Sequence, residues 1–137
     1  MRLFSKKKAP KAVVPPKGPF KYPSGTVVNT ESGQYYLKGL VKYKIKSRSV
    51  FNSWNFPLVV DSTDEAISKY RPSLKRLGFR DGTIIRDIYD GRLYVIADSK
   101  RVQISSVEAG EALGIEGLPN NYVSHEDVLF HSDGGEI

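Results

Sequence analysis

One ordered series of residues occurs twice in this chain, and that recurrence limits the fold more than any other feature, because a repeated unit is one supersecondary structure used again. The first copy opens Ser24-Gly25-Thr26-Val27-Val28 and the second Asp81-Gly82-Thr83-Ile84-Ile85. Tyr35-Tyr36-Leu37-Lys38 then corresponds to Leu93-Tyr94-Val95-Ile96, and Lys44-Ile45-Lys46-Ser47 to Gln103-Ile104-Ser105-Ser106. Residues 49–56 match residues 108–115, setting Trp54 opposite Leu113, and residues 60–67 match residues 122–129. The chain is thereby divided into an arm (1–23), a first repeat (24–68), a basic connector (69–80) and a second repeat with an acidic C-terminal segment (81–137).

Each copy reads as a small β-meander followed by short helices. Thr26-Val27-Val28 and Thr83-Ile84-Ile85 are β-branched runs suited to a first strand. Asp90-Gly91 is a strong hairpin turn before Leu93-Tyr94-Val95-Ile96, and Ser32-Gly33 holds the same place in the first copy. The third strand, residues 41–45 or 101–104, alternates apolar and polar residues, which predicts Tyr36 and Tyr43 facing inward and Lys42, Lys44 and Lys46 sharing a solvent face. Ser105-x-x-Glu108 has the spacing of a capping box ahead of a helix through Leu113 that ends at Gly114, and Ser62-x-x-Glu65 and Ser124-x-x-Asp127 repeat the signal. The expected class is α+β: two tandem small repeats, each a short antiparallel meander with one or two short helices, behind an extended Pro/Lys-rich arm.

Charge is distributed unevenly. Residues 1–22 hold seven Lys or Arg and no acid, residues 23–101 carry a net +6, and residues 102–137 hold seven acids with no Lys or Arg. Five of the eight prolines fall in the first 24 residues (Pro10, Pro15, Pro16, Pro19 and Pro23), so this stretch favours extended, polyproline-like backbone over helix. Its apolar residues Leu3, Phe4, Val13, Val14 and Phe20 suit grooves on a neighbour, while Lys6, Lys7, Lys8, Lys11, Lys17 and Lys21 suit an acidic surface. The 39% hydrophobic content, with eight Tyr and six Phe, is that of a folded chain. There is no cysteine, hence no disulfide or thiolate chemistry. Apolar runs stay far short of the ~20 residues that span a bilayer, so no membrane is expected. The basic start lacks the apolar segment of a signal peptide.

The chemistry-bearing residues form no catalytic set, and no cofactor or metal is expected. His125 and His131 lie among Glu126, Asp127 and Asp133, but their spacing does not align them on one helical face, which makes them solvated surface residues. Asp61-Ser62-Thr63-Asp64-Glu65 lacks the glycine and closing glutamate of a calcium loop and is read as helix capping. Trp54, with Phe51 and Phe56 nearby, is expected in the core. Lys38, Lys42, Lys44, Lys46 and Arg48 interleaved with tyrosines leave a nucleic-acid-binding role open, in which affinity falls steeply with salt. Exposed Tyr35, Tyr89 and Tyr122 leave a cell-wall or glycan-binding module open.

The second copy, with Asp81-Gly82-Thr83-Ile84-Ile85, Tyr94-Val95-Ile96, Lys100-Arg101-x-x-Ile104-x-Ser106, Ala112-Leu113-Gly114-Ile115 and Ser124-x-Glu126-Asp127, resembles a short repeat of bacterial surface proteins and of structural proteins of tailed-phage particles. The first copy departs from it, with Ser24 for the aspartate and Asn55 for the glycine. The arm is similar to those that virion proteins lay across neighbours. The resemblance implies a non-enzymatic particle component at the capsid surface, head-to-tail neck or tail, assembled in the host cytoplasm. Its partners would be other virion proteins in a symmetric assembly, with homo-oligomeric contacts between basic and acidic segments. Partner-binding residues would be the arm side chains named above together with Lys42, Lys44 and Lys46.

Overall fold

The structure, a computed structural model, describes residues 20–118 and 121–137. The expected arm contacts from Leu3 to Lys17 lie outside the described residues. The chain is α+β, with ten strands, three short α-helices and two 3-10 turns among the described residues. It divides into two compact units, one of residues up to Ile45 plus Asn55–Leu77, the other of Lys46–Trp54 plus Gly78–Ile137. These units do not follow the boundaries 24–68, 69–80 and 81–137. Residues 71–72 and 77 of the expected connector bond to the first sheet, and Lys46–Trp54 belongs to the second unit.

In the first unit, β1 (Thr26–Thr30), β2 (Gly33–Lys38) and β3 (Val41–Lys44) form the expected antiparallel meander. Two further strands close it in parallel: β4 (Leu58–Asp61) beside β1 and β5 (Arg71–Pro72) beside β3, giving the order β4-β1-β2-β3-β5. Val28, Leu37, Ile67 and Tyr70 form its core, with Tyr22, Tyr35 and Val60 packed against them. Ile67 comes from a 3-10 turn, Glu65–Ile67, begun where the Thr63 hydroxyl accepts from the Ala66 amide. The expected cap at Ser62 is thus displaced by one residue.

The second unit has the same strand order and the same parallel and antiparallel pairings, with a register shift in its last strand between Asp133 and Glu136. β6 (Ile84–Asp87), β7 (Leu93–Ala97) and β8 (Lys100–Gln103) form the meander, with β9 (Tyr122–Val123) parallel to β6 and β10 (Ser132–Glu136) parallel to β8. The order is β9-β6-β7-β8-β10. Gly91, at φ 77°, makes the hairpin turn after β6. Its helices are α1 (Arg48–Ser53), α2 (Val107–Ala112) and α3 (His125–Phe130), capped by the hydroxyls of Ser47, Ser106 and Ser124. The α2 cap is Ser106, one residue past the expected Ser105, and Gly114 ends that helix in the left-handed region at φ 68°.

Backbone bonds fix which residues correspond. Gly25 N–H donates to Leu37 O and Gly82 N–H to Ile96 O; Ile45 N–H donates to Gln34 O and Ile104 N–H to Leu93 O. Leu37 therefore stands opposite Ile96, not Val95, a one-residue correction to the sequence alignment that exchanges the two faces of the strand. Likewise Asp61 pairs with Asn29 where Tyr122 pairs with Arg86, which sets Thr63 opposite Ser124, Ala66 opposite Asp127 and Tyr70 opposite His131.

The lysine face is also corrected. Lys44 and Lys42 lie across from Tyr35 and Leu37, on the side of the fully buried Leu37, and Lys42 Nζ reaches Ile67 O at 3.2 Å while lying 5.6 Å from the Tyr35 ring centroid. Tyr36 and Tyr43 occupy the opposite face, where Tyr36 packs on Phe56 at 5.5 Å. Lys46 belongs to the other unit.

Candidate functional site

Both units solve one local problem in the same place. The segment leading into each first strand carries a backbone N–H that no ladder satisfies, and a buried polar group left unpaired costs about 1–3 kcal/mol. In the first unit Tyr22 N–H donates to Tyr70 Oη (3.2 Å), whose own proton goes to Tyr22 O (3.3 Å). Phe20 stands edge-on to Tyr70 at 5.1 Å and remains 39% exposed; Lys21 is half-buried. In the second unit Phe79 N–H donates to His131 Nε2 (2.9 Å), so the ring proton sits on Nδ1 and goes to Ser99 O (2.7 Å). The Arg101 guanidinium donates to His131 O. His131 is thus a buried structural residue rather than a solvated one. Gly78 lies against it so closely that a Cβ there would come within 2.6 Å of Nε2.

A second polar centre gathers around Asp127, in the first turn of α3. Ser47 Oγ donates to Asp127 Oδ2 (2.6 Å) and also accepts from Val50 N–H to cap α1. Lys46 Nζ lies 3.2 Å from Asp127 Oδ1 and 3.5 Å from Glu126. The other end of α1 is held by Ser53 Oγ, which accepts from Arg80 N–H, and by Trp54 Nε1–H, which donates to Gly78 O at 2.9 Å. Val50 between them is buried. Trp54 is half-buried at the helix end, not in the centre of the core. Sequence reading missed this seat because Ser47 and Lys46 are far along the chain from Asp127; Ser47 three residues before Val50 is the signal that marks the cap.

The third centre is the hairpin turn. Asp87, fully buried, accepts from Tyr89 N–H and from His125 Nδ1 at 2.6 Å, while Asp90 accepts from Arg92 N–H. Asp87, Asp90 and His125 are three potential metal ligands whose donor atoms lie within 4.8 Å of one another. The 2.6 Å separation is that of a hydrogen bond, and Arg92 Nε stands 3.8 Å from Asp90, so the turn is held by its own protons and a neighbouring cation. This is a different set from the one weighed in the sequence, since His131 faces elsewhere. Tyr89 and Tyr122 are 78% and 52% exposed, with Tyr89 against His125 and Tyr122 beside Arg86; Tyr35 is half-buried and hydrogen-bonded to Ser32. A groove of about 840 Å³ lies over β6 and β7, lined by Ile84, Leu93, Ile115 and Leu118 with Arg86 and Glu116 at hand.

Among the described residues no helix is long and apolar enough to cross a membrane. No family model matches the chain, and no curated protein and no solved structure matches it.

Proposed function

We propose that the chain is a non-enzymatic assembly protein of a tailed-bacteriophage particle, at its capsid surface, neck or tail. Its body is two tandem copies of one small unit, and its basic, proline-rich arm docks on neighbouring subunits. The observation that carries this reading is the shared plan of the two sheets: the same strand order, the same parallel and antiparallel pairings, and a backbone N–H ahead of the first strand that donates to a buried side chain, Tyr70 or His131. Duplicated units with little chemistry of their own serve as shape and spacing, as in other repeat proteins. The polar centres support it as well, because His131, Asp127 and Asp87 all hold segments together. A nucleic-acid role would need a continuous basic face, whereas Lys42 is bonded to Ile67 O and Lys46 to Asp127. The virion assignment itself draws on the resemblance of the repeat motif and the arm.

The test is to purify the particles made in cells that produce this chain and measure its copy number by quantitative mass spectrometry. The expected result is a fixed copy number for the full chain and loss from the particle on deletion of residues 1–19, which keeps Phe20 and Tyr22 on Tyr70, with the circular dichroism of the remaining chain unchanged. Particles devoid of the full chain, or full incorporation of the truncated one, would refute the reading.

A further inference from the structure

We propose that the second unit carries a binding site for a small zwitterion, a free α-amino acid, on the sheet face where β7, β8 and β10 lie side by side. Such a site gives the duplicated body a ligand as well as a shape, and it owes nothing to the arm.

Strand alternation builds the site. Arg92 and Tyr94 lie two residues apart at the start of β7, Arg101 and Gln103 two apart on β8, and Tyr94 pairs directly with Gln103. Residues two apart on a strand share a face, as do residues paired across strands, so these four side chains stand on one side of the sheet. The edge strand β10 adds carboxylates: Asp133 is in register with Arg101 and Glu136 with Gln103. Three steps on β10 against two on β8 mean one extra residue, and that bulge returns Glu136 to the face Asp133 occupies. Two glycines allow it. Gly135 sits at φ 94°, and a Cβ on Gly134 would come within 3.0 Å of Lys100 and Val102. The six side chains line a polar pocket of about 180 Å³.

The walls of this pocket do not satisfy one another. Tyr94 is only 7% exposed, yet its hydroxyl has no hydrogen-bond partner among the described residues. The matching hydroxyl of the first unit, on Tyr35, meets Ser32 Oγ at 2.8 Å. A buried hydroxyl left alone is costly, and a ligand that meets it is favoured by that amount. The opposite charges also stay apart. Arg92 faces Asp90, Arg101 donates to His131 O, and Asp133 and Glu136 accept from Gly135 N–H and Ser105 Oγ. Among the described residues no ion pair joins either arginine to Asp133 or Glu136.

These groups define the ligand. The planar N–H forks of two guanidinium groups fit a carboxylate, Asp133 and Glu136 fit an ammonium group, and Tyr94 and Gln103 between them can donate or accept. A bare anion would face the two carboxylates and a bare cation the two arginines, so a molecule bearing both charges suits every wall. The pocket is smaller than the about 300–1,000 Å³ of sites for drug-sized molecules, which limits the ligand to few heavy atoms. An α-amino acid carries its carboxylate and ammonium groups on one carbon and meets these demands.

Titration of the full chain with L-alanine, followed by NMR at the backbone amides of residues 92–94, 101–103 and 133–136, tests the site. Saturable shifts at these amides are expected. Propionate, which lacks the ammonium group, and ethylamine, which lacks the carboxylate, should each bind at least about tenfold more weakly. Tyr94→Phe removes a hydroxyl the fold leaves unused, so its thermal midpoint should match or exceed that of the wild type while its affinity for L-alanine falls about fivefold. Asp133→Asn, at an exposed position, should weaken L-alanine about tenfold without weakening propionate, and it carries the test if circular dichroism shows Tyr94→Phe unfolded. No saturable shift at millimolar L-alanine overturns the proposal. So do equal binding of propionate, shifts caused by D-glucose and not by L-alanine, or an unchanged affinity in a folded Tyr94→Phe variant.

Discussion

Tyr70 in the first unit and His131 in the second occupy the same point of the same plan, yet they are chemically unlike. Each ends the segment before the last strand, each is buried, and each accepts from the amide of a residue about to enter the first strand. What is held constant is a backbone donor that must be met; which side chain meets it is open, provided it places an acceptor there. The difference lies in reach. Tyr70 returns its proton to Tyr22, closing the contact on one residue, whereas His131 spends its proton on Ser99 and so ties the turn between β7 and β8 to the lead-in of β6.

The comparison is most easily broken at His131. Replacement by Ala leaves Phe79 N–H and Ser99 O without their partner and opens a cavity, and the expected loss is about 3–5 kcal/mol in urea unfolding; a loss as small as that of the tyrosine variant below would make the two contacts equivalent. Gly78→Ala forces a methyl group onto the same ring and is expected to cost about 1–3 kcal/mol through overpacking, while the double variant Gly78→Ala/His131→Ala should show less than the sum of the two. Tyr70→Phe keeps the ring and removes the hydroxyl, so the thermal midpoint should fall by the equivalent of about 1 kcal/mol.

The smallest effect is electrostatic. Asp64 is held below the ordinary carboxylate value of 3.8 by hydrogen bonds from Thr30 and Ser32, against a small opposing effect of desolvation. A lowered folded-state pKa means that the contribution is present above the unfolded value and disappears as pH falls through the folded one. Asp64→Asn should therefore lower stability slightly at neutral pH, and the difference from wild type should vanish as the pH falls below about 4, measured by thermal melts across an acid series.

Much of the meander was legible in the sequence. Asp90-Gly91 between β-branched runs, Ser124 ahead of α3 and Gly114 after α2 are short-range signals, because the turn or cap is made by residues a few positions apart. The one-residue errors at Leu37, Ser62 and Ser105 arose where neighbouring residues had equal local claims: two tyrosines in sequence, Ser62 beside Thr63, and Ser105 beside Ser106. Hydrogen-bond register decided among them.

The sequence by itself determined the strand-forming runs and the segregation of basic from acidic segments, since both are properties of residue order. Only the tertiary structure decided that β4, β5, β9 and β10 pair in parallel at the sheet edges, that His131 is buried and that Lys46 joins Asp127. Those features depend on partners brought together from distant parts of the chain, and no local pattern carries the free energy of a contact whose other half lies dozens of residues away.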